Sequence, residues 1–360
     1  MTYVRTAIEP VRPAPSKPRQ ALAPVLFGNM ANMLTSLLIL MMAWTALPHF
    51  LSWAFVHGVW SGDGDSCRDA GACWAFLRVK LPFILLGLYP EAERWRPIAV
   101  VVIVIALTLW SMPPRNWTRA TLLGWLLAVP LCLILMTGGI AGLRFVPTGA
   151  WGGLPITLLL TILSLALGFP FGVLLAIARR SRFPVYRWVA TAFIEVARAL
   201  PLLTLLFIAA LMAPLLLPDG WTIDNLIRAL IAFTLSSAAY LAEVIRGGLQ
   251  AIPRQQEEAA RALGLGRTDA LFAIILPQAI RKVLPPLTST IVVIIKNTSL
   301  VLVVGLFDLL SAGRVALSDP QWPTPYAETY LAIALFYFTI CYGFARYSLH
   351  LERTLKEAGR

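Results

Sequence analysis

Residues 152–178 read GGLPITLLLTILSLALGFPFGVLLAIA, without one ionisable side chain from end to end. As an α-helix at 1.5 Å per residue, this run is about 40 Å long, and the hydrocarbon core of a bilayer is about 30 Å thick. In lipid a helix satisfies its own backbone hydrogen bonds and a lone strand cannot. The stretch therefore reads as a transmembrane helix. Working outward from it, seven more candidate spans appear at about 28–55, 97–112, 121–143, 188–217, 224–246, 286–307 and 328–349. The run at 97–112, PIAVVVIVIALTLWSM, is the shortest.

The composition agrees. Of 360 residues, 58% are hydrophobic and 13% charged, with a mean hydropathy of +0.75. A soluble domain carries about 25% charged residues. The net charge of +12 comes from bases lying between the apolar runs, as expected for cytoplasmic loops of a membrane protein and not for nucleic-acid binding. Three histidines and four scattered cysteines give no metal-ligand spacing, and no G-x-x-x-x-G-K-[ST] phosphate loop is present. A membrane enzyme would need a catalytic cluster at one face, which the residue inventory lacks.

Residues 1–24 hold four bases among prolines and read as a disordered cytoplasmic tail without a cleavable signal pattern. An even number of spans puts both termini on one side. With both inside, 20 of the 30 lysines and arginines fall in inner segments, which favours N-in and C-in. The exception is the outer segment 56–96. It holds FLRVKLPFILLGLYP, too short to span and read as interfacial or re-entrant, together with Cys67 and Cys73. Their spacing permits a small disulfide in an oxidising exterior or leaves two free thiols. Cys132 and Cys341 lie inside apolar runs and read as packing residues.

One inner connection, 250–285, is too long to lack structure of its own. It contains AIPRQQEEAARALGLGRTDALFAIILPQAIRKVLPP over 251–286. Pro253 suits a first helical turn, Glu257 and Glu258 suit a helix N-terminus, and Ala259, Ala260 and Ala262 propagate the helix. Gly264 and Gly266, flanking Leu265, break it. A second helix is expected from Arg267 to about Leu276, stopping near Pro277. The result is a compact knob for a partner's groove or an amphipathic helix lying on lipid.

The run Glu258-Ala259-Ala260, three residues, Gly264, nine residues, Ile274, one residue, Leu276-Pro277 resembles the EAA loop of ABC importer permeases. WGGLPITLLLTILSLALGFPFGVLLAIARRSR, FIEVARALPLLTLLF, AYLAEVIRGGLQAIP and KNTSLVLVVGLFDLL resemble the polar amino-acid uptake permeases, which include the histidine and glutamine permeases. The preceding part, with ILLGLYPEAERWRP, resembles the longer M-type subunit of general L-amino-acid importers. The resemblance implies an all-α type I ABC importer transmembrane domain. A five-helix core over 150–350 would follow a three-helix extension over 25–149 and precede a cytoplasmic tail over 351–360. It implies that residues 257–260, Ala262 and 264–266 form or flank a coupling helix docked into an ATPase subunit. The chain would make no bonds itself, with ATP and Mg bound by the partner ATPase dimer. The other expected partners are a sibling permease, a periplasmic amino-acid-binding protein, an L-amino acid and the inner-membrane bilayer. An ATP-independent channel or secondary carrier is the alternative. It predicts internal repeats, and none is visible.

Ionisable side chains at membrane depth cost at least ~2.5–3.5 kcal/mol each on insertion scales, so they face a cavity or a partner. Glu195 and Arg198 share one helical face and can pair, and Glu243 with Arg246 repeats the spacing. Lys296, Asn297, Thr298 and Ser299 form a polar quartet in the seventh span, and Asp308 lies near its outer end. A zwitterionic amino acid needs a cation for its carboxylate and acceptors for its ammonium, which Arg198, Lys296 and Glu243 can supply. Helix-to-helix glue is the other reading of these charges. Ser236 and Ser237 suit interhelical hydrogen bonds. The pairs Gly138 with Gly142 and Gly168 with Gly172 suit close helix approach, and Pro170 a kink.

Overall fold

The computed structural model describes residues 26–358 apart from 141 and 219, so the expected tail over 1–24 lies outside the described residues. The chain divides into two units. The first comprises the residues up to Val59 with Asp69–Ala72. Its helix α1 (Met30–Leu51) runs into a π-turn, Ser52–Val56, and buries none of its side chains. An apolar helix with no packed face needs lipid or another chain around it.

The second unit holds the remaining elements. Helices α2 (Trp74–Leu86), α3 (Trp95–Ser111) and α4 (Arg119–Thr137) come first, within 25–149. Then come α5 (Gly153–Arg179), α6 (Pro184–Ala199), α7 (Leu202–Phe207), α8 (Asn225–Gln250) and α9 (Arg254–Ala262). They are followed by α10 (Leu276–Asn297), α11 (Leu309–Leu317) and α12 (Tyr326–Ala358). Six helical stretches are long and apolar enough to cross a membrane, and a seventh if α6 and α7 form one span. The run expected at 97–112 is the 17-residue α3, about 25 Å long. It falls short of the hydrocarbon thickness, so eight full spans are not established.

Helices α5 and α8 share the most extensive packing. A Cβ at Gly168 would lie 3.1 Å from Ser237 Cβ, and one at Gly172 would lie 3.0 Å from Leu241 Cβ. Glycine at these positions lets the two backbones close up. Two apolar clusters run along this pair. One joins Val100, Val104, Cys132 and Met136 of the extension to Ile156, Leu160 and Phe233. The other gathers Leu175, Ile194, Leu241, Ile245, Ala279 and Val283 near the α9 end.

Several expectations are corrected. The third span does not reach 143: α4 ends at Thr137, where Gly138 takes φ +69°. Gly138 and Gly142 therefore lie in a connection and bring no helices together. The fully buried Arg96 closes that helix end, its Nε donating to the Leu135 carbonyl at 2.5 Å and its Nη1 to the Arg144 carbonyl at 2.8 Å. The fifth span is not one rod. Leu200, extended before Pro201, breaks it, and α6 and α7 meet at 101°, because a residue preceding proline is driven out of the helical region. Pro170 does not interrupt α5.

The second helix of the inner connection does not stop at Pro277. Arg267–Asp269, a π-turn over Ala270–Ile275 and α10 run on as one helical stretch. The wider turn accommodates a proline that cannot donate its i−4 bond. The same stretch, continued by a 3-10 segment Thr298–Val304, replaces the expected span 286–307. Asp308 lies just beyond the end of that stretch. It pairs with Gly153 in a short parallel bridge and caps α11, accepting from the amides of Leu310 and Ser311 at 3.0 Å.

Candidate functional site

Two arrangements carry chemistry. The first is the knob formed by α9 and its turn. Its one buried side chain is Ala260; Glu258, Ala259 and Ala262 are exposed, and Leu263 stands 81% exposed at the tip. Glu257 pairs with Arg261 one turn later. The helix closes on Gly264 at φ +80°: its amide donates to the Arg261 carbonyl at 2.9 Å, and that of Leu265 donates to Ala260 at 3.1 Å. This is a glycine-terminated cap whose C′ position favours a residue without Cβ. Gly266 plays a different part. At φ −62° it precedes the next helix in ordinary extended backbone. Gln278 donates to Gln256 at 3.3 Å and Lys282 to the Ala251 carbonyl at 2.8 Å, fixing the knob to the base of α10. The helical stretch from Arg267 to Asn297 is about 45 Å long, a lever from the knob into the apolar part of the molecule.

The second is a cleft of about 190 Å³ between α7, α8 and α10, lined among others by Ser236, Ser237, Tyr240, Ser289, Thr290 and Asn297. Beside it sits a cluster of five charges. Arg179 forks between Glu195 at 2.7 Å and Glu243 at 3.1 Å. Arg246 reaches Glu243 through Nε at 2.9 Å, and Arg198 approaches Glu243 at 3.8 Å. Three helices thus meet through three guanidinium groups and two carboxylates. Arg198 lies over the Tyr240 ring, 5.8 Å from its centre. Its Nε is buried and has no hydrogen-bond partner among the described residues.

The expected Glu195–Arg198 pair does not form. Their spacing puts them on one face of α6, but the fork of Arg179 takes Glu195, and Arg198 turns to Glu243 and Tyr240. A planar fork between two carboxylates wins over a single i,i+3 contact. Glu243 and Arg246 do pair.

The polar quartet divides. Asn297 lines the cleft, while Lys296 is exposed beside it. Thr298 is buried, donating to the Ile295 carbonyl at 2.7 Å, and Ser299 donates to the Lys296 carbonyl at 2.8 Å. Tyr240, Ser289 and Thr290 were missed. Ser289 and Thr290 share one side of α10 with Asn297, but nothing in the sequence ties that side to Tyr240 of α8.

Residues 168–357 match the family model described as binding-protein-dependent transport system inner membrane component. Over 352 residues the chain is 40% identical to the inner membrane amino-acid ABC transporter permease protein YhdY of Escherichia coli (strain K12), covering 96% of this chain and 95% of that one. The chain belongs to this family of permeases. It is also 32% identical to the glutamate/glutamine/aspartate/asparagine transport system permease protein BztC of Rhodobacter capsulatus, over 100% of this chain and 99% of that one. A solved structure described as an amino acid ABC transporter with histidines shares 34% identity, with a TM-score of 0.49, and covers 55% of this chain and 90% of that chain.

The permease is thus an all-α, multi-pass inner-membrane protein built on an ABC importer transmembrane domain. Within it, the α9 knob projects away from the apolar core and the cleft lies among the helices that form it.

Proposed function

We propose that this permease is the membrane subunit through which an ATP-driven importer passes polar L-amino acids into a bacterial cell, with both termini inside. A periplasmic amino-acid-binding protein delivers the substrate, and a sibling permease completes the path. Two separate ATPase subunits bind ATP and Mg and drive the cycle. The observation that carries the reading is the α9 knob. It offers Glu258, Ala259, Ala262 and Leu263 outward while its base is bolted to a continuous helix entering the membrane. Small alanines beside a projecting leucine suit insertion into a partner's groove, and the helix carries the partner's closure to α8 and α10.

Alternating access is then a balance of two packings biased from the knob. In the cleft, Ser236, Thr290 and Asn297 supply hydrogen-bonding groups for an amino acid's polar ends. Arg198 supplies a cation whose buried Nε lacks an acceptor among the described residues. A substrate carboxylate satisfies that donor, which otherwise carries an unmet desolvation cost of about 1–3 kcal/mol. Glu195 and Glu243 beside it are carboxylate acceptors of the kind a substrate ammonium needs.

The experiment is co-purification of the permease with its ATPase subunits and substrate uptake in vesicles. Glu258→Lys and Gly264→Asp are expected to release the ATPase and abolish uptake. Retention of both in both variants overturns the coupling role of α9.

A further inference from the structure

The segment 73–86 takes no part in the knob or the cleft, yet one face of it is fastened to the connection between α11 and α12. The amide of Cys73 donates to the buried carboxylate of Glu328 at 2.6 Å. Three residues on, Phe76 meets Trp322 edge-on with ring centres 5.5 Å apart. Four residues further, Lys80 Nζ lies 2.5 Å from Asp319 Oδ2. Phe76 and Lys80, one turn apart, put one side of α2 against 319–322, and the Cys73 amide just ahead of the helix adds the hold on Glu328. A second arm reaches the same stretch. Gly64 lies with its backbone against the Gln321 carbonyl, too close for any Cβ. The two arms are joined by a disulfide between Cys67 and Cys73, both buried.

We propose that the Cys67–Cys73 disulfide is an oxidative clasp that holds the N-terminal extension onto the α11–α12 connection, so that α2, α11 and the start of α12 move as one body. The ring it closes is short, so closing it removes little chain entropy. Its effect is geometric. It holds Gly64 and the Cys73 amide at the separation that lets one meet Gln321 while the other meets Glu328. Without the bond, each arm finds its partner alone. The proposal rests on the outward orientation of this segment given above, which places it in an oxidising compartment.

Formation of the clasp releases two protons and two electrons from the two thiols. The electrons pass to the disulfide of an exported thiol oxidase, which leaves as a dithiol. Burial of both cysteines shields the finished bond from small reductants and marks it as structural.

Thiol counting on the full-length permease is the first test. Membranes are denatured and labelled with a maleimide, with and without prior reduction. Two of the four cysteines, Cys132 and Cys341, are expected to label before reduction and all four after it. Four labels before reduction overturn the clasp. Amide hydrogen exchange on the solubilised permease is the second. In the Cys67→Ser, Cys73→Ser double variant, peptides from 74–86 and 318–328 are expected to exchange about tenfold faster, with 254–262 unchanged. Unchanged exchange in the first two windows overturns the proposal, and so does faster exchange throughout the chain. If the double variant does not accumulate, Glu328→Gln keeps the disulfide and weakens the acceptor. The same two windows are then expected to accelerate, and no change there overturns the clasp. Because exchange is read and not uptake, failure of the clasp is distinguishable from failure of α9 coupling.

Discussion

Arg198 and Tyr240 stack across the rim of the cleft, the guanidinium carbon 5.8 Å from the ring centre. The contact joins the charge cluster to the cleft, because Tyr240 lines the cleft and Arg198 reaches Glu243. A cation over an aromatic face is held in direction as well as attracted. Arg198 is therefore aimed at the cleft edge and not simply paired within the cluster.

Arg198→Met is expected to lower amino-acid uptake at least about tenfold while co-purification with the ATPase is unchanged, since one charge-assisted hydrogen bond contributes about 1.5–3 kcal/mol. Tyr240→Phe keeps the ring and is expected to retain most of the uptake, whereas Tyr240→Ala is expected to follow Arg198→Met. Lys296→Met, beside the cleft but not lining it, is expected to have the smaller effect. Vesicle uptake at saturating binding protein checks all four. Normal uptake in Arg198→Met means that the residue only holds helices together.

Glu243 meets three guanidinium groups, from Arg179, Arg198 and Arg246. Glu243→Gln leaves those cations with Glu195 as their only carboxylate in the cluster. For a site about a quarter exposed, the cost lies between that of exposed and fully buried pairs, about 1–3 kcal/mol. The variant is expected to melt several degrees lower, and Arg246→Gln by less, since Glu243 keeps two partners there. Thermal unfolding of the solubilised permease measures both, and an unchanged midpoint in Glu243→Gln removes the cluster as a structural joint.

Much of this was legible in the chain. A run without charge gave α5, and a long apolar run with its charges near the two ends gave α8, because only a helix survives in lipid; the spacing around Gly264 gave the knob because its cap depends on backbone conformation alone. The rest depended on contacts remote in sequence. Proline illustrates it: Pro170, Pro285 and Pro286 lie inside continuous helices, yet Pro201 turns the chain by 101°. Nothing local separates these cases. Likewise, spacing put Glu195 and Arg198 on one face, but only the approach of α5 shows that Arg179 takes the carboxylate. Tyr240 and Ser289 entered the site because α8 and α10 lie side by side, which no single-segment pattern contains.

The Asp319 carboxyl is held below its ordinary value near 3.8, first by the hydrogen bond from Lys80 and then by that from the Gln321 amide. A depressed folded-state pKa stabilises the fold fully above the unfolded value, and the contribution is lost as pH falls through the folded one. The difference in melting temperature between wild type and Lys80→Met is therefore expected to hold steady from about pH 7 to 5 and to shrink below about pH 4. Melting curves across that range decide it. A difference that persists unchanged to the lowest pH means that Lys80 acts through packing and not through its charge.

By sequence Gly264 and Gly266 are equivalent helix breakers, but the structure separates them. Gly264 has φ +80°, and among the described residues nothing lies within 4 Å of where a Cβ would sit, whereas Gly266 has φ −62°. Any penalty at Gly264 is thus backbone strain without collision. For alanine in the left-handed region it is about 1–2 kcal/mol. Gly264→Ala is expected to loosen the end of α9 and reduce substrate-stimulated ATP hydrolysis by the assembled transporter. Gly264→Asn, which visits that region more readily, is expected to recover part of it, and Gly266→Ala to behave as wild type. The order Ala below Asn below Gly at 264, with no effect at 266, is the signature of a cap held by backbone geometry. Equal loss at both positions would show instead that the ATPase reads the bare surface of the turn, and that the conformation of Gly264 is incidental to coupling.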